Sequence, residues 1–115
     1  MTVKLNQKAF DHAKGLIDAG RTAKDERDDW SEHAPTADQE NTYLDKHGWQ
    51  DYSQWYLGLE TDMDEETKGR YKFPYGDFRR LHRCGVISAE SRAAQNDYDD
   101  VAKALKTLLE LLDSD

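Results

Sequence analysis

Cysteine is nearly absent from this sequence, since Cys84 is the only one among 115 residues. A single cysteine excludes an intrachain disulfide framework. Long apolar runs are also missing: the N-terminus has no stretch typical of a signal peptide, and the leucine-rich segment 105–112 is too short and too charged to cross a bilayer. The sequence therefore predicts a soluble, cytoplasmic protein that does not associate with membranes.

The apolar residues that most often form protein cores are scarce as well. Leu, Ile, Val and Phe together number 19, and at this level a chain with a net charge of −8 is often disordered. Three Trp, six Tyr and three Phe argue against disorder, because each ring buries a large area and disordered chains contain few of them. We therefore predict one folded domain over residues 1–115, with an aromatic-rich core.

The sequence contains no recognisable metal or cofactor motif. The four histidines lack the H-x-x-x-H and H-E-x-x-H spacings, and the acidic run 62–66 has no glycine at the sixth position of a calcium loop. Glycine-rich phosphate loops, nucleophile elbows and dinucleotide fingerprints are missing too. The sequence therefore predicts no metal and no cofactor, and it favours a non-catalytic protein over an enzyme.

Helical patterns begin near the N-terminus. Asn6 fits the N-cap of a helix with one apolar face, and Gly20 fits the left-handed residue that ends such a helix. Residues 21–35 show no periodicity and carry Trp30 as their only large apolar side chain. We expect this segment to be a loose loop that Trp30 anchors in the core.

Two further helical segments are expected after this loop. Thr36 and Gln39 form a T-x-x-Q capping box, and Gly48 is placed to end the helix that they begin. A short turn or helix, with Tyr52, Trp55 and Tyr56 on one face, then ends at Gly58. Beyond it, aromatic rings alternate with Lys72 and Pro74, and a proline cannot donate to a sheet ladder.

The alternation predicts a short extended or edge-strand segment near residues 70–75. A helix that Asp77 caps should follow without interruption, although a break at Gly85 with Ser88 as a new cap is the alternative. A last helix, which Asp97 caps, carries a leucine stripe. The predicted fold class is thus mainly α, a small single domain of four to five helices.

Charge is unevenly distributed along the chain. Residues 68–83 hold six bases and one acid, which gives +5 and leaves −13 on the remainder. We interpret the protein as a non-catalytic interaction or accessory domain that uses this segment to bind an acidic protein surface, a small anion or a second copy. The predicted binding surface consists of Arg70, Lys72, Tyr75, Arg79, Arg80 and Arg83.

Other interpretations of the same segment stay open. The simplest is that its aromatic rings are core residues and that its bases pair with the protein's own acids. Nucleic-acid binding is disfavoured because the acidic remainder repels a polyanion, while mimicry of nucleic acid by that remainder is a further alternative. Cys84, tuned by His82 or Arg83, offers an enzymatic or redox-responsive role. On one helix, however, His82 would point away from Cys84, and a buried structural cysteine is the simpler interpretation.

Several stretches resemble a family of short bacterial proteins. They are residues 27–31 (RDDWS), 55–58 (WYLG), 68–78 (KGRYKFPYGDF), 82–87 (HRCGVI) and 91–95 (SRAAQ), so the similarity covers nearly the whole chain. The resemblance implies a bacterial, single-domain protein that stands alone. The family is itself uncharacterised, and the resemblance therefore implies no activity, cofactor or catalytic residue.

Overall fold

Helices and short strands alternate along the chain. The computed structural model describes residues 3–26 and 29–114. Within them the elements are β1 (Val3–Leu5), α1 (Gln7–Asp18), β2 (Thr22–Ala23), α2 (Trp30–His33), α3 (Ala37–Ser53), β3 (Tyr56–Glu60), β4 (Tyr71–Pro74), β5 (Leu81–His82), α4 (Arg83–Gln95) and α5 (Asp99–Asp113). The described chain is therefore mainly helical, with five helices, as the sequence predicts.

The strands form two small sheets. In the first, β3 lies between β1 and β4, and both neighbours are antiparallel to it. The edge strand expected near residues 70–75 is β4, which ends at Pro74. In the second sheet, β2 and β5 pair in parallel, with Thr22 opposite Leu81 and Ala23 opposite His82. This second pairing was not predicted, and it positions the candidate site.

The boundaries of α1 follow the prediction, but Asn6 acts differently from the expected cap. Gly20 has a φ of 73° and ends the helix in the left-handed conformation. Asn6 occupies the N-cap position without capping through its side chain. Its amide group instead donates to the carbonyl oxygens of Ser53 and Tyr56, at 2.9 and 3.0 Å. Asn6 therefore ties the start of α1 to the end of α3 and the start of β3.

The capping box of α3 is confirmed. Oγ1 of Thr36 accepts from the Gln39 N–H, and the Gln39 side chain accepts from the Thr36 N–H. Gly48, with φ 84° and ψ 172°, interrupts the helix, which then resumes. The expected end of a shorter helix at Gly58 is wrong, because Gly58 lies inside β3. A Cβ there would come within 2.8 Å of the Phe73 ring, so the close approach of β3 and β4 requires glycine.

Two predictions around the second sheet are wrong. Residues 21–35 contain β2 and α2 rather than only a loop, because pairing with β5 orders a segment without sequence periodicity. Residues 27 and 28 lie outside the described residues. The helix expected from Asp77 begins instead at Arg83, since β5 occupies the two preceding positions. Neither Gly85 nor Ser88 breaks α4, which continues through both.

The last helix carries the predicted leucine stripe but begins later than expected. Asp97 has a φ of 60° and lies in the turn after α4, so Tyr98 rather than Asp97 occupies the N-cap position. Leu105, Leu108 and Leu112 of α5 are completely buried, and α4 and α5 pack extensively on each other. One core joins these helices to α1 and the larger sheet. Among the described residues, no helix has the length and apolar character needed to cross a membrane.

Candidate functional site

The parallel pairing of β2 with β5 brings distant polar residues together. The Leu81 N–H donates to the Arg21 carbonyl at 3.1 Å, and the His82 N–H donates to the Tyr75 carbonyl at 3.0 Å. These bonds fix β5 between two backbone segments. Asp25 lies two residues after the end of β2, and its carboxylate consequently lies beside the His82 ring.

Four residues form a hydrogen-bonded group, which we call the acid–histidine cluster: the buried His82 and Cys84 and the half-buried Asp25 and Asp77. Nδ1 of His82 lies 2.7 Å from Oδ2 of Asp25, and Nε2 lies 2.8 Å from Oδ2 of Asp77. Oδ1 of Asp25 accepts from the Cys84 backbone N–H at 3.0 Å. His82 is 2% exposed and Cys84 is 0% exposed, so these bonds form largely away from bulk water.

Both carboxylates of the cluster are held in the ionised form. Burial acts to raise the pKa of Asp25, but hydrogen bonds from the Cys84 N–H and the His82 ring outweigh it and lower this pKa to about 2. The pKa of Asp77 is also lowered, since hydrogen bonds from His82 and from two backbone N–H groups overcome burial. An ionised carboxylate only accepts hydrogen bonds, so both ring nitrogens of His82 face acceptor oxygens, one from Asp25 and one from Asp77.

The environment of Cys84 favours the protonated thiol rather than the nucleophilic thiolate. Burial, reinforced by the neighbouring Asp25 carboxylate, raises the pKa of Cys84 to about 12. Arg83 does not offset this, because its guanidinium pairs with Asp113 at 2.9 Å. The expectation that His82 points away from Cys84 is wrong, since His82 lies in β5, before α4 begins. Their side chains approach within 4.8 Å, both beside Asp25.

The short helix α2 covers the cluster. The His33 ring stacks on His82, with centroids 5.0 Å apart and planes 20° apart, and His33 Nε2 lies 3.8 Å from Oδ2 of Asp25. The Trp30 ring lies beside His82 as well, with a centroid distance of 6.1 Å. A Cβ on Gly85 would come within 2.9 Å of the Trp30 ring, so glycine at this position of α4 lets α2 approach. Trp30 thus packs against His82 and Gly85 rather than within the hydrophobic core, where it was expected to anchor the segment.

Residues 76–81 form a tight turn at the edge of the cluster, which we call the arginine loop. A bridge between its first and last residues closes it. Oδ1 of Asp77 accepts from the backbone N–H groups of Arg79 and Arg80, at 3.0 and 2.8 Å. Both arginine side chains are exposed. Over residues 3–26 and 29–114, no carboxylate lies within 4.0 Å of either guanidinium.

The remaining residues of the predicted binding surface lie elsewhere or are occupied. Arg70 donates to a backbone carbonyl at 2.7 Å, and Lys72 is half-buried in β4. Arg83 pairs with an aspartate of α5. Tyr75 is 0% exposed, so its ring belongs to the core and cannot contribute to a surface. Only Arg79 and Arg80 of that predicted set are exposed together.

An open groove of about 870 Å³ adjoins the arginine loop. The half-buried rings of Tyr43 and Phe78 stack within it, 4.5 Å between centroids and 13° between planes. Exposed Lys46 and Arg79 border these rings. Ionisable residues that line the rest of the groove are Glu32, His33, Asp38, His47 and Asp77. The groove therefore combines an apolar stack with charges of both signs.

Sequence reasoning missed two residues of this site and the full role of a third. Asp25 lies in a segment crowded with acids, and nothing local distinguishes it from its neighbours. His33 lacks any metal-type spacing to another histidine. Asp77 was expected to cap a helix, whereas it caps the arginine loop and binds His82. The proximity of His82 to Cys84 in sequence was the one available signal.

Comparison of the chain with protein-family models, curated proteins and solved structures gives no match. The resemblance to short bacterial proteins therefore stays a prediction, and the candidate site depends on its own geometry.

Proposed function

We propose that this protein is a non-catalytic interaction domain that binds an acidic segment of a partner protein through the arginine loop and the adjoining groove. The observation that carries this proposal is the pair Arg79 and Arg80. Both are exposed, and neither has a carboxylate partner among the described residues, although the chain has a net charge of −8. Two exposed cations without a carboxylate partner in the described part of the chain are placed to bind carboxylates of another molecule.

The rigidity of the arginine loop supports a binding role. Asp77 holds the backbone of both arginines, and the bridge at the ends of the loop fixes its base. A loop that is already ordered loses little conformational entropy when a partner docks, which favours affinity. Only the arginine side chains themselves have to become ordered on binding.

The groove supports a peptide-like ligand. The stacked rings of Tyr43 and Phe78 offer apolar contact area next to Arg79, and protein interfaces are enriched in aromatic residues and arginine. Lys46 adds a third positive charge at the border. The ligand that fits is a segment with carboxylates for the bases and an apolar or aromatic side chain for the rings.

The charges of the groove disfavour nucleic acid. Glu32, Asp38 and Asp77 also line it and repel any anionic group at short range, so a ligand with a few carboxylates placed at the bases fits the groove better than a polyanion. Tight phosphate binding rests on many neutralised contacts, commonly about six to ten, whereas the loop supplies two arginines. A nucleic-acid ligand would show a steep loss of affinity with added salt, which separates it from an acidic peptide segment.

Photo-crosslinking tests the proposal. A photo-reactive residue replaces Lys46 at the groove, and a matched protein carries it at Lys106, which is exposed on α5. Each is expressed in the native host and irradiated, and the adducts are identified. We expect an acidic partner segment to crosslink from position 46 and not from position 106. Crosslinking to a second copy would identify the chain itself as that partner.

Charge reversal completes the test. The Arg79→Glu/Arg80→Glu variant keeps the backbone N–H groups that Asp77 binds, so the loop keeps its shape. Lys103→Glu/Lys106→Glu, on exposed positions of α5, is the control with the same change in charge. We expect the crosslink to be lost in the first variant and kept in the second. A crosslink that survives reversal of both arginines, or that forms equally from position 106, contradicts the proposal.

A further inference from the structure

We propose that Asp25, His33, His82 and Cys84 form a binding site for a zinc ion. The ligand atoms of Asp25, His82 and Cys84 all lie within 4.8 Å of one another. His33 lies outside this group, but its Nε2 is 3.8 Å from Oδ2 of Asp25, so a small movement toward the other three donors would make it the fourth ligand. One carboxylate, two imidazoles and one thiolate together supply the donor types of four-coordinate zinc.

Two distances between donor atoms can be compared with those that zinc requires. Zinc binds O, N and S donors at about 2.0–2.3 Å, so donor atoms around a tetrahedral ion lie roughly 3.3–3.7 Å apart. The His33–Asp25 separation of 3.8 Å nearly matches this edge. Nδ1 of His82 and Oδ2 of Asp25 are closer, at 2.7 Å, because a hydrogen bond joins them. Zinc would replace that proton, and the distance between the two atoms would increase by about 1 Å or less.

The surroundings of the donors are an independent argument for a metal site. Histidine ligands of metals usually donate their other ring N–H to a carboxylate, which orients the ring. Asp77 occupies this position, since its Oδ2 lies 2.8 Å from Nε2 of His82. Oδ1 of Asp25 likewise accepts a hydrogen bond from the Cys84 N–H at 3.0 Å. Its Oδ2 therefore faces His82 and His33. Two ligands are thus oriented before any ion arrives.

The donor set selects the kind of metal. Magnesium and calcium bind oxygen donors, whereas thiolate with imidazole favours zinc. Binding involves no redox change. Zn²⁺ takes the place of the Nδ1 proton of His82 and of the Cys84 thiol proton, and both protons pass to solvent. His33 and Asp77 also line the open groove, which gives the ion a route from solvent.

Metal titration of the full chain tests this site. Protein stripped with a chelator is titrated with Zn²⁺, and in parallel with Co²⁺, whose absorption reports thiolate coordination. We expect one equivalent to bind and a thiolate-to-cobalt charge-transfer band to appear, which Cys84→Ser abolishes. We also expect Asp77→Asn to weaken zinc binding by about 10–100-fold, the usual effect of losing an outer partner.

Comparison of two similar histidines separates loss of zinc binding from loss of folding. His33 and His47 are 42% and 44% exposed, and each lies near an aspartate, at 3.8 and 3.9 Å. We expect His33→Gln to weaken zinc binding at least tenfold and His47→Gln to leave it unchanged, with both variants folded by circular dichroism. Absence of saturable binding to the wild-type protein, a cobalt complex without the thiolate band, or equal effects of the two histidine variants would overturn the proposal.

Discussion

Asp77 connects the arginine loop to the buried His82 ring. One carboxylate oxygen accepts from the backbone N–H groups of residues 79 and 80, and the other lies 2.8 Å from Nε2 of His82. The backbone of the arginine loop and the acid–histidine cluster therefore belong to a single hydrogen-bonded network. Changes at Asp77 should act on both.

Substitution of Asp77 by Asn removes the negative charge that faces the His82 ring and weakens the cap of the arginine loop. Hydrogen bonds to a charged group are worth about 1.5–3 kcal/mol, so we expect the free energy of unfolding to fall by about that amount. Urea denaturation at neutral pH measures it. Asp45→Asn, at an exposed position of α3, is the control and should change stability by less than about 0.5 kcal/mol. Equal stability of the two variants would show that Asp77 has no structural role.

Acid should destabilise the metal-free protein through Asp25. Its pKa is about 2 in the folded chain and 3.8 in the unfolded chain, so the unfolded state binds the proton more tightly. The stability from this group is fully present above pH 3.8 and is lost as the pH falls toward 2, a change of about 2 kcal/mol. Unfolding measured between pH 5 and 2 should lose stability less steeply in Asp25→Asn than in the wild type. Identical slopes would contradict the assigned hydrogen bonds.

Two glycine substitutions should change stability in opposite directions. A Cβ at Gly85 meets the Trp30 ring at 2.9 Å and the Tyr75 carbonyl oxygen at 3.0 Å, so Gly85→Ala should destabilise the fold by about 1–3 kcal/mol. A Cβ at Gly15, inside α1, meets nothing within 4 Å. Gly15→Ala should therefore stabilise the fold by about 0.5–1 kcal/mol. Thermal unfolding compares the two, and a neutral Gly85→Ala would mean that α2 does not pack on α4 as described.

Cys84 should be unreactive in the native, metal-free protein. It is 0% exposed, and burial together with Asp25 raises its pKa to about 12. Since the thiolate is the reactive species, alkylation at neutral pH should be at least about a hundredfold slower than in the urea-unfolded chain. Mass spectrometry of timed iodoacetamide reactions measures both rates. Equal rates would favour the alternative in which Cys84 acts as a reactive thiol.

Local sequence signals predicted part of the local structure, although Asn6 and Asp97 do not cap their helices as expected and Gly58 lies inside β3. The correct predictions include the capping box at Thr36 and the edge strand that ends at Pro74. They also include two glycines with positive φ: Gly48, which interrupts α3, and Gly20, which ends α1. Each of these features depends on residues within a few positions of one another. A single sequence contains that information directly.

Contacts between distant segments were not predictable in the same way. β2 and β5 have two residues each, too few for any periodicity, and yet their pairing places Asp25 beside His82. Because β5 occupies positions 81 and 82, it also shortens the helix that had been expected to begin at Asp77. The basic and aromatic residues of segment 68–83 predicted the binding surface only in part. Tyr75 is buried in the core, whereas Arg79 and Arg80 are exposed.

The central claim is that Arg79 and Arg80 bind an acidic partner segment. The most direct measurement is the dissociation constant of the crosslinked segment, as a synthetic peptide, for the wild type and for the two charge-reversal variants. We predict that Arg79→Glu/Arg80→Glu weakens binding by at least about tenfold, or about 1.4 kcal/mol, while Lys103→Glu/Lys106→Glu changes it by less than about twofold. Equal dissociation constants for the wild type and the arginine variant, or equal weakening by both variants, would contradict the claim.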